Sequence, residues 1–181
     1  MRKLIVGAVM AVALLGAPAV AEAAPPPPPG WTHVTDPIGC GSSTCTLPAG
    51  QFCKFAVDIS IVANEEIQNV TTRADGTTVT KIMGLLVLSF KNDNPKGRKI
   101  VKDVSGSTTT TVSPDGSHVT EQGDGANWWA FGPNGRMNTG EPALVFSYGP
   151  VTVAGTVTGG IYTAHTFSLH GIQENGCALL S

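Results

Sequence analysis

The side chains in this chain whose types could do chemistry begin with one histidine and one aspartate. Strand alternation gives His165 the same face as Ile161, Thr163, Phe167 and Leu169, so it is the histidine expected to be buried. Asp58 shares a face with Ala56 and Ser60, opposite the apolar set Phe55, Val57, Ile59 and Ile61. If the Asp58 face turned inward, Asp58 and His165 could meet across neighbouring strands as a general acid and base. If the apolar face turns inward, Asp58 meets water and the pair does not exist. His165 and His170 are five apart on one strand and point to opposite faces, so they cannot chelate one ion. His33 and His118 are expected in solvent. No Gly-x-Ser-x-Gly nucleophile elbow is present.

The aromatic run Trp128-Trp129-Ala130-Phe131 holds two of the three tryptophans of a chain with 6% aromatics. Alternation sends Trp128 and Ala130 one way and Trp129 and Phe131 the other, so the run either packs a core and covers a rim or floors a ligand pocket. The loop 132–140 that follows could cover the mouth of such a pocket, with Arg136 placed to meet an anion. Trp128, Trp129, Phe131 and Arg136 are therefore the candidate ligand-binding residues. Two oxygen-rich stretches, residues 92–94 and 124–127, read as turns, because neither places acidic side chains at the alternate positions of a calcium loop. Asn69-Val70-Thr71 matches a glycosylation sequon.

Cys40, Cys45, Cys53 and Cys177 are an even set, which in an exported chain reads as two disulfides with three connectivities open. A short Gly-Ser-Ser-Thr loop separates Cys40 from Cys45, which favours Cys40–Cys45 together with Cys53–Cys177. The long bridge would tie the first strand of the domain to the last. The spacing does not match paired zinc ligands, and no metal or cofactor is expected.

These groups must be held by short strands. Residues 55–61, 67–73, 77–83, 85–91, 98–104, 107–112, 117–121, 128–131, 143–148, 151–157 and 161–170 are rich in Val, Ile, Thr and aromatics, and Gly, Pro, Asn and Asp divide them. Residues 85–91 are nearly all apolar, as in a strand covered on both faces. Ser113-Pro114-Asp115-Gly116 is a turn with a mechanism: Pro presets φ, Asp bonds its own backbone and Gly takes positive φ. No run of ten residues within 52–181 carries helical periodicity. The expected fold is all-β, an antiparallel meander of about eight to ten strands that closes into a single barrel to remove its edges. A β-sandwich is the alternative.

The chain opens Met1-Arg2-Lys3, continues uncharged from Leu4 to Ala21 and ends in Ala-x-Ala sites, the pattern of a secretory signal peptide over residues 1–23. Residues 24–51 read as a Pro-rich arm that includes the Cys40–Cys45 loop, and five consecutive prolines, 25–29, favour an extended spacer. Residues 52–181 read as the barrel. Charged side chains are 13% of the chain, about half the usual ~25%, and the formal net charge is −2. With no basic cluster there is no footprint for nucleic acid, and no stable membrane span is expected after cleavage. The composition also excludes a coiled coil and a highly charged disordered chain.

The segment from Val104 through Thr108-Thr109-Thr110-Thr111 to Ser117 resembles exported actinobacterial proteins without assigned function. Thr166-Phe167-Ser168-Leu169-His170-Gly171, the terminal Cys177 and the early strand opening at Cys53 are similar too. The resemblance covers most of residues 50–181 and implies no active-site residues. The inferred topology resembles allene-oxide-cyclase and dirigent-type barrels in architecture alone. The reading that follows is a secreted or cell-envelope protein that binds a small apolar or amphipathic molecule. A cyclase- or isomerase-type enzyme and a structural or protein-interaction module are the alternatives, with a binding role favoured over an enzymatic one.

Overall fold

The structure is a computed structural model that describes residues 26–131 and 144–181. The signal-peptide reading of residues 1–23 and the Arg136 loop lie outside the described residues. Among the described residues fourteen strands and one short helix follow one another: β1 (Thr32–His33), β2 (Thr44–Leu47), β3 (Val57–Asn64), β4 (Ile67–Thr72), β5 (Thr78–Met83), β6 (Leu86–Asn92) and β7 (Lys99–Asp103). They continue with β8 (Ser107–Val112), β9 (His118–Asp124), β10 (Ala126–Ala130), β11 (Leu144–Tyr148), β12 (Val151–Thr158), β13 (Ile161–Leu169), β14 (Ile172–Asn175) and α1 (Gly176–Leu180). All strand pairs are antiparallel.

The turn chemistry read from the sequence is realised. In the β8–β9 hairpin Gly116 takes φ +71°, its amide donates to the Ser113 carbonyl at 2.9 Å, and Asp115 accepts from the Ser113 hydroxyl, the Ser117 amide and the Ser117 hydroxyl. Those donors favour the ionised form and hold the Asp115 carboxyl far below the ordinary carboxylate range.

The hairpins assemble into three sheets. A seven-stranded sheet has the order β1-β4-β5-β8-β9-β12-β13, a four-stranded sheet β2-β3-β6-β7 and a three-stranded sheet β10-β11-β14. The three-stranded sheet lies between two cores. Leu144, Phe146, Tyr148 and Trp128 pack with Val57, Ile59, Leu88 and Phe90 of the four-stranded sheet. Val145 and Trp129 pack with Val151, Val153, Ala164 and Phe167 of the seven-stranded sheet. This is why β11 is buried on both faces from Leu144 to Ser147. Edge-to-face contacts run through both cores: Phe90 with Phe146 at 4.9 Å and with Trp128 at 5.7 Å, and Phe167 with Phe131 at 5.7 Å. The apolar run around β6 is a central strand whose Leu88 and Phe90 are fully buried.

The expected all-β antiparallel fold is found, but no sheet among the described residues closes on itself. The seven-stranded sheet ends at β1 and β13, and these two strands are not paired. The disulfides are Cys40–Cys45 and Cys53–Cys177, with Cα separations of 5.8 and 5.5 Å. The long bridge does not join a first and a last strand as expected. Cys53 precedes β3 and Cys177 lies in α1, so the bridge clamps the C-terminal helix onto the four-stranded sheet, where the Asn92 side chain also donates to the Leu180 carbonyl at 3.0 Å. β14 pairs with β11 alone. A second tie between layers joins β7 to the three-stranded sheet, where the Lys102 ammonium donates to Glu174 at 2.5 Å and to the Tyr148 hydroxyl at 3.1 Å. Two disulfides fit an oxidising, extracytoplasmic setting, and no helix of the described residues is long and apolar enough to cross a membrane.

Of the stretch 24–51, the described residues from 26 onward are woven into the domain. β1 adds to the edge of the seven-stranded sheet by pairing with β4, and β2 adds to the four-stranded sheet by pairing with β3. The residues between them strap from one sheet to the other, burying Val34 and Ile38.

Candidate functional site

The strap, the seven-stranded sheet and the aromatic strand β10 line a half-open cavity of about 690 Å³. That volume lies within the range of small-molecule sites. The strap contributes Val34, Asp36 and Ile38; the seven-stranded sheet contributes Ile82, Thr108, Thr110, Glu121 and Tyr162; the aromatic run contributes Trp128, Trp129 and Phe131.

Glu121 reaches the cavity because strand register puts it on the core face. Its cross-strand neighbours are Thr110 on β8 and Val153 on β12, and Val153, paired in turn with Phe167, is fully buried beside Trp129. Burial pushes the Glu121 carboxyl above the ordinary glutamate value. Tyr162 on β13 is close enough for the Glu121 charge to act on it: burial and, secondarily, that charge push its phenol up to about 12. The Tyr162 hydroxyl is buried and has no hydrogen-bond partner among the described residues.

Glu66 enters from the connection between β3 and β4. Its carbonyl accepts from the Val34 amide at 2.9 Å and its amide donates to Asn64 Oδ1 at 3.0 Å, while Asn64 Nδ2 donates to the Val34 carbonyl at 2.8 Å. The tight approach depends on Gly84, which has φ +125°; a Cβ there would stand 2.5 Å from the Glu65 carbonyl oxygen and 2.8 Å from Glu66 Cα. Glu66 is only 7% exposed, and burial alone pushes its carboxyl up to about 7. No hydrogen bond or ion pair reaches the carboxylate of Glu66 or Glu121 among the described residues.

The aromatic residues singled out from the sequence fall at this site. Trp129 and Phe131 are buried in the core against the seven-stranded sheet, Trp128 packs into the other core, and all three line the cavity. Trp129 is fixed by its indole N–H, which donates to the buried Ser147 hydroxyl at 2.8 Å. Arg136 lies outside the described residues.

The proposed acid–base pair is not assembled. Asp58 sits on the four-stranded sheet, on the face opposite buried Val57 and Ile59, and accepts from the Thr46 hydroxyl at 2.8 Å. His165 sits on the seven-stranded sheet and is exposed, with Nε2 2.8 Å from the Thr156 hydroxyl. The expectation that His165 is buried is corrected by a β-bulge. Ala154 pairs with Thr166 and Gly155 with Ala164, so His165 is the extra residue and the alternation reverses across it. Tyr162 and Ala164 therefore join Phe167 and Leu169 on the inner side, and His165 is displaced outward.

Sequence reasoning missed Glu66, Glu121 and Tyr162. One signal was available for Glu121, which is in phase with Val119 and so shares its face of β9. Glu66 carried no local signal, because its burial depends on a strap contributed by residues some thirty positions earlier. No family model, no curated protein and no solved structure matches this chain.

Proposed function

We propose that this chain is an exported, disulfide-bonded binding protein that holds a small amphipathic molecule between its sheets. The observation that carries the reading is the cavity of about 690 Å³, whose lining joins Trp128, Trp129 and Phe131 to the unpartnered carboxyl groups of Glu66 and Glu121. Carboxyl groups held there without a partner gain hydrogen bonds when a ligand supplies donors. A ligand with an apolar body and a polar head covers the wall and partners the polar groups together. The disulfides, the signal-peptide pattern of residues 1–23 and the resemblance of residues 50–181 to exported actinobacterial proteins support a place outside the cytoplasm, secreted or in the cell envelope. The strap and residues of all three sheets supply the walls of the cavity.

The test is fluorescence titration with the neutral apolar probe N-phenyl-1-naphthylamine, paired with native mass spectrometry of protein exported by its own host. Saturable enhancement of probe emission that weakens in Trp128→Ala, or a co-purifying small molecule, is expected. Absence of both defeats the reading.

A further inference from the structure

The charge pattern of the cavity narrows its ligand, an inference that rests on the binding role proposed above. Three carboxyl groups line the cavity, Asp36, Glu66 and Glu121, with no Lys, Arg or His among the described lining residues. Asp36 already has donors in the amides of Cys40 at 3.0 Å and Gly41 at 2.7 Å. Glu66 and Glu121 have no hydrogen bond or ion pair among the described residues. Carboxyl groups partly withdrawn from water without counter-charge raise the energy of the empty protein, and an incoming cation relieves that cost. Trp128, Trp129 and Phe131 stand in the same lining, and aromatic residues offer apolar contact to an organic body and attract positive charge.

We propose that the cavity takes a small organic cation, a protonated primary or secondary amine on an apolar body. Its ammonium pairs with the Glu66 and Glu121 carboxyl groups of the lining, and its body lies against the aromatic residues. An ammonium has donors for more than one oxygen and also carries the missing charge. An alcohol has a single donor and no charge, and a carboxylate is repelled.

The experiment compares octylamine, octanol and octanoate as displacers of N-phenyl-1-naphthylamine at pH 7.5. Octylamine is expected to displace the probe at a concentration about tenfold or more below octanol, the gain typical of a charge-assisted hydrogen bond, with octanoate the poorest of the three. Glu121→Gln and Glu66→Gln are each expected to move the amine-to-alcohol ratio toward one, and either alone carries the test if the other fails to fold. A wild-type ratio near one, or a ratio unchanged in folded variants, overturns the cation assignment and leaves the binding role standing. Failure of the probe to bind, with no small molecule co-purifying, overturns both.

Discussion

Replacing Glu66 by Gln removes an ionisable group while keeping its shape, and the structure sets the size of the effect. The ordinary carboxyl value of 4.5 rises to about 7 in the folded protein, by burial alone. Each pKa unit corresponds to about 1.36 kcal/mol, so full ionisation of Glu66 costs the folded state on the order of 3 kcal/mol. The direction follows from the raised value. Below pH 4.5 both folded and unfolded chains carry the proton and the folded state keeps its full stability. Between 4.5 and about 7 the unfolded chain releases the proton first, so stability falls as pH rises and levels off above 7. At 7% exposure little of this is screened by solvent. Glu121 shifts in the same direction, but it is common to both proteins and cancels in the comparison. Urea unfolding followed by tryptophan fluorescence at pH 4, 5, 6, 7 and 8 measures the difference directly. Wild type is expected to lose about 3 kcal/mol more than Glu66→Gln over that range, so that the variant is the more stable protein at pH 8. Parallel pH profiles for the two proteins would refute the account of Glu66 as a buried, unpartnered carboxyl.

The two disulfides differ in the loops they close, with sequence separations of 124 and 5. The chain-entropy relation assigns about 5 kcal/mol to Cys53–Cys177 and about 2 kcal/mol to Cys40–Cys45. Denaturant unfolding of the Cys53→Ala/Cys177→Ala and Cys40→Ala/Cys45→Ala proteins should reproduce that order, and equal losses would contradict it. Gly84→Ala forces a Cβ against the Glu65 carbonyl in a left-handed backbone and is expected to cost about 1–3 kcal/mol in urea unfolding; a neutral result would mean that the β3–β4 connection is not held so close. Trp129→Phe keeps an aromatic ring but strands the fully buried Ser147 hydroxyl, for an expected loss of about 1–3 kcal/mol. Adding Ser147→Ala should recover part of that loss, and no recovery would show that the hydrogen bond is not its source.

Most of the strand pattern was legible because it is written in local chemistry. Gly76 and Gly116 adopt the positive φ that their Asp-Gly turns require, and the hairpins they close are in the expected register region. The pairing of the cysteines followed from loop length. β2, β14 and α1 were not legible: β2 and β14 are four residues each and α1 is five, so none carries a period, and each is held by a partner strand or by the Cys53–Cys177 bridge. Period-2 alternation separated the two faces of β3 correctly, with Val57 and Ile59 inward and Asp58 outward. The same rule misassigned His165, because a bulge inserts one residue and inverts every side chain beyond it without a local signal.

By itself the sequence determined that the chain is all-β, where most of its turns fall, which cysteine pairing is favoured and that Trp128 and Trp129 face opposite ways. Those properties depend on backbone sterics and on residues near one another in the chain. Only the tertiary structure decided that sheets stack instead of closing, that β11 is covered on both sides, and that Glu66, Glu121 and Tyr162 line one cavity. A glutamate in a Thr-rich strand has the same local conformation in water as in a cavity. What separates the two is the aromatic strand and the N-terminal strap that lie over it, and these arrive from distant parts of the chain.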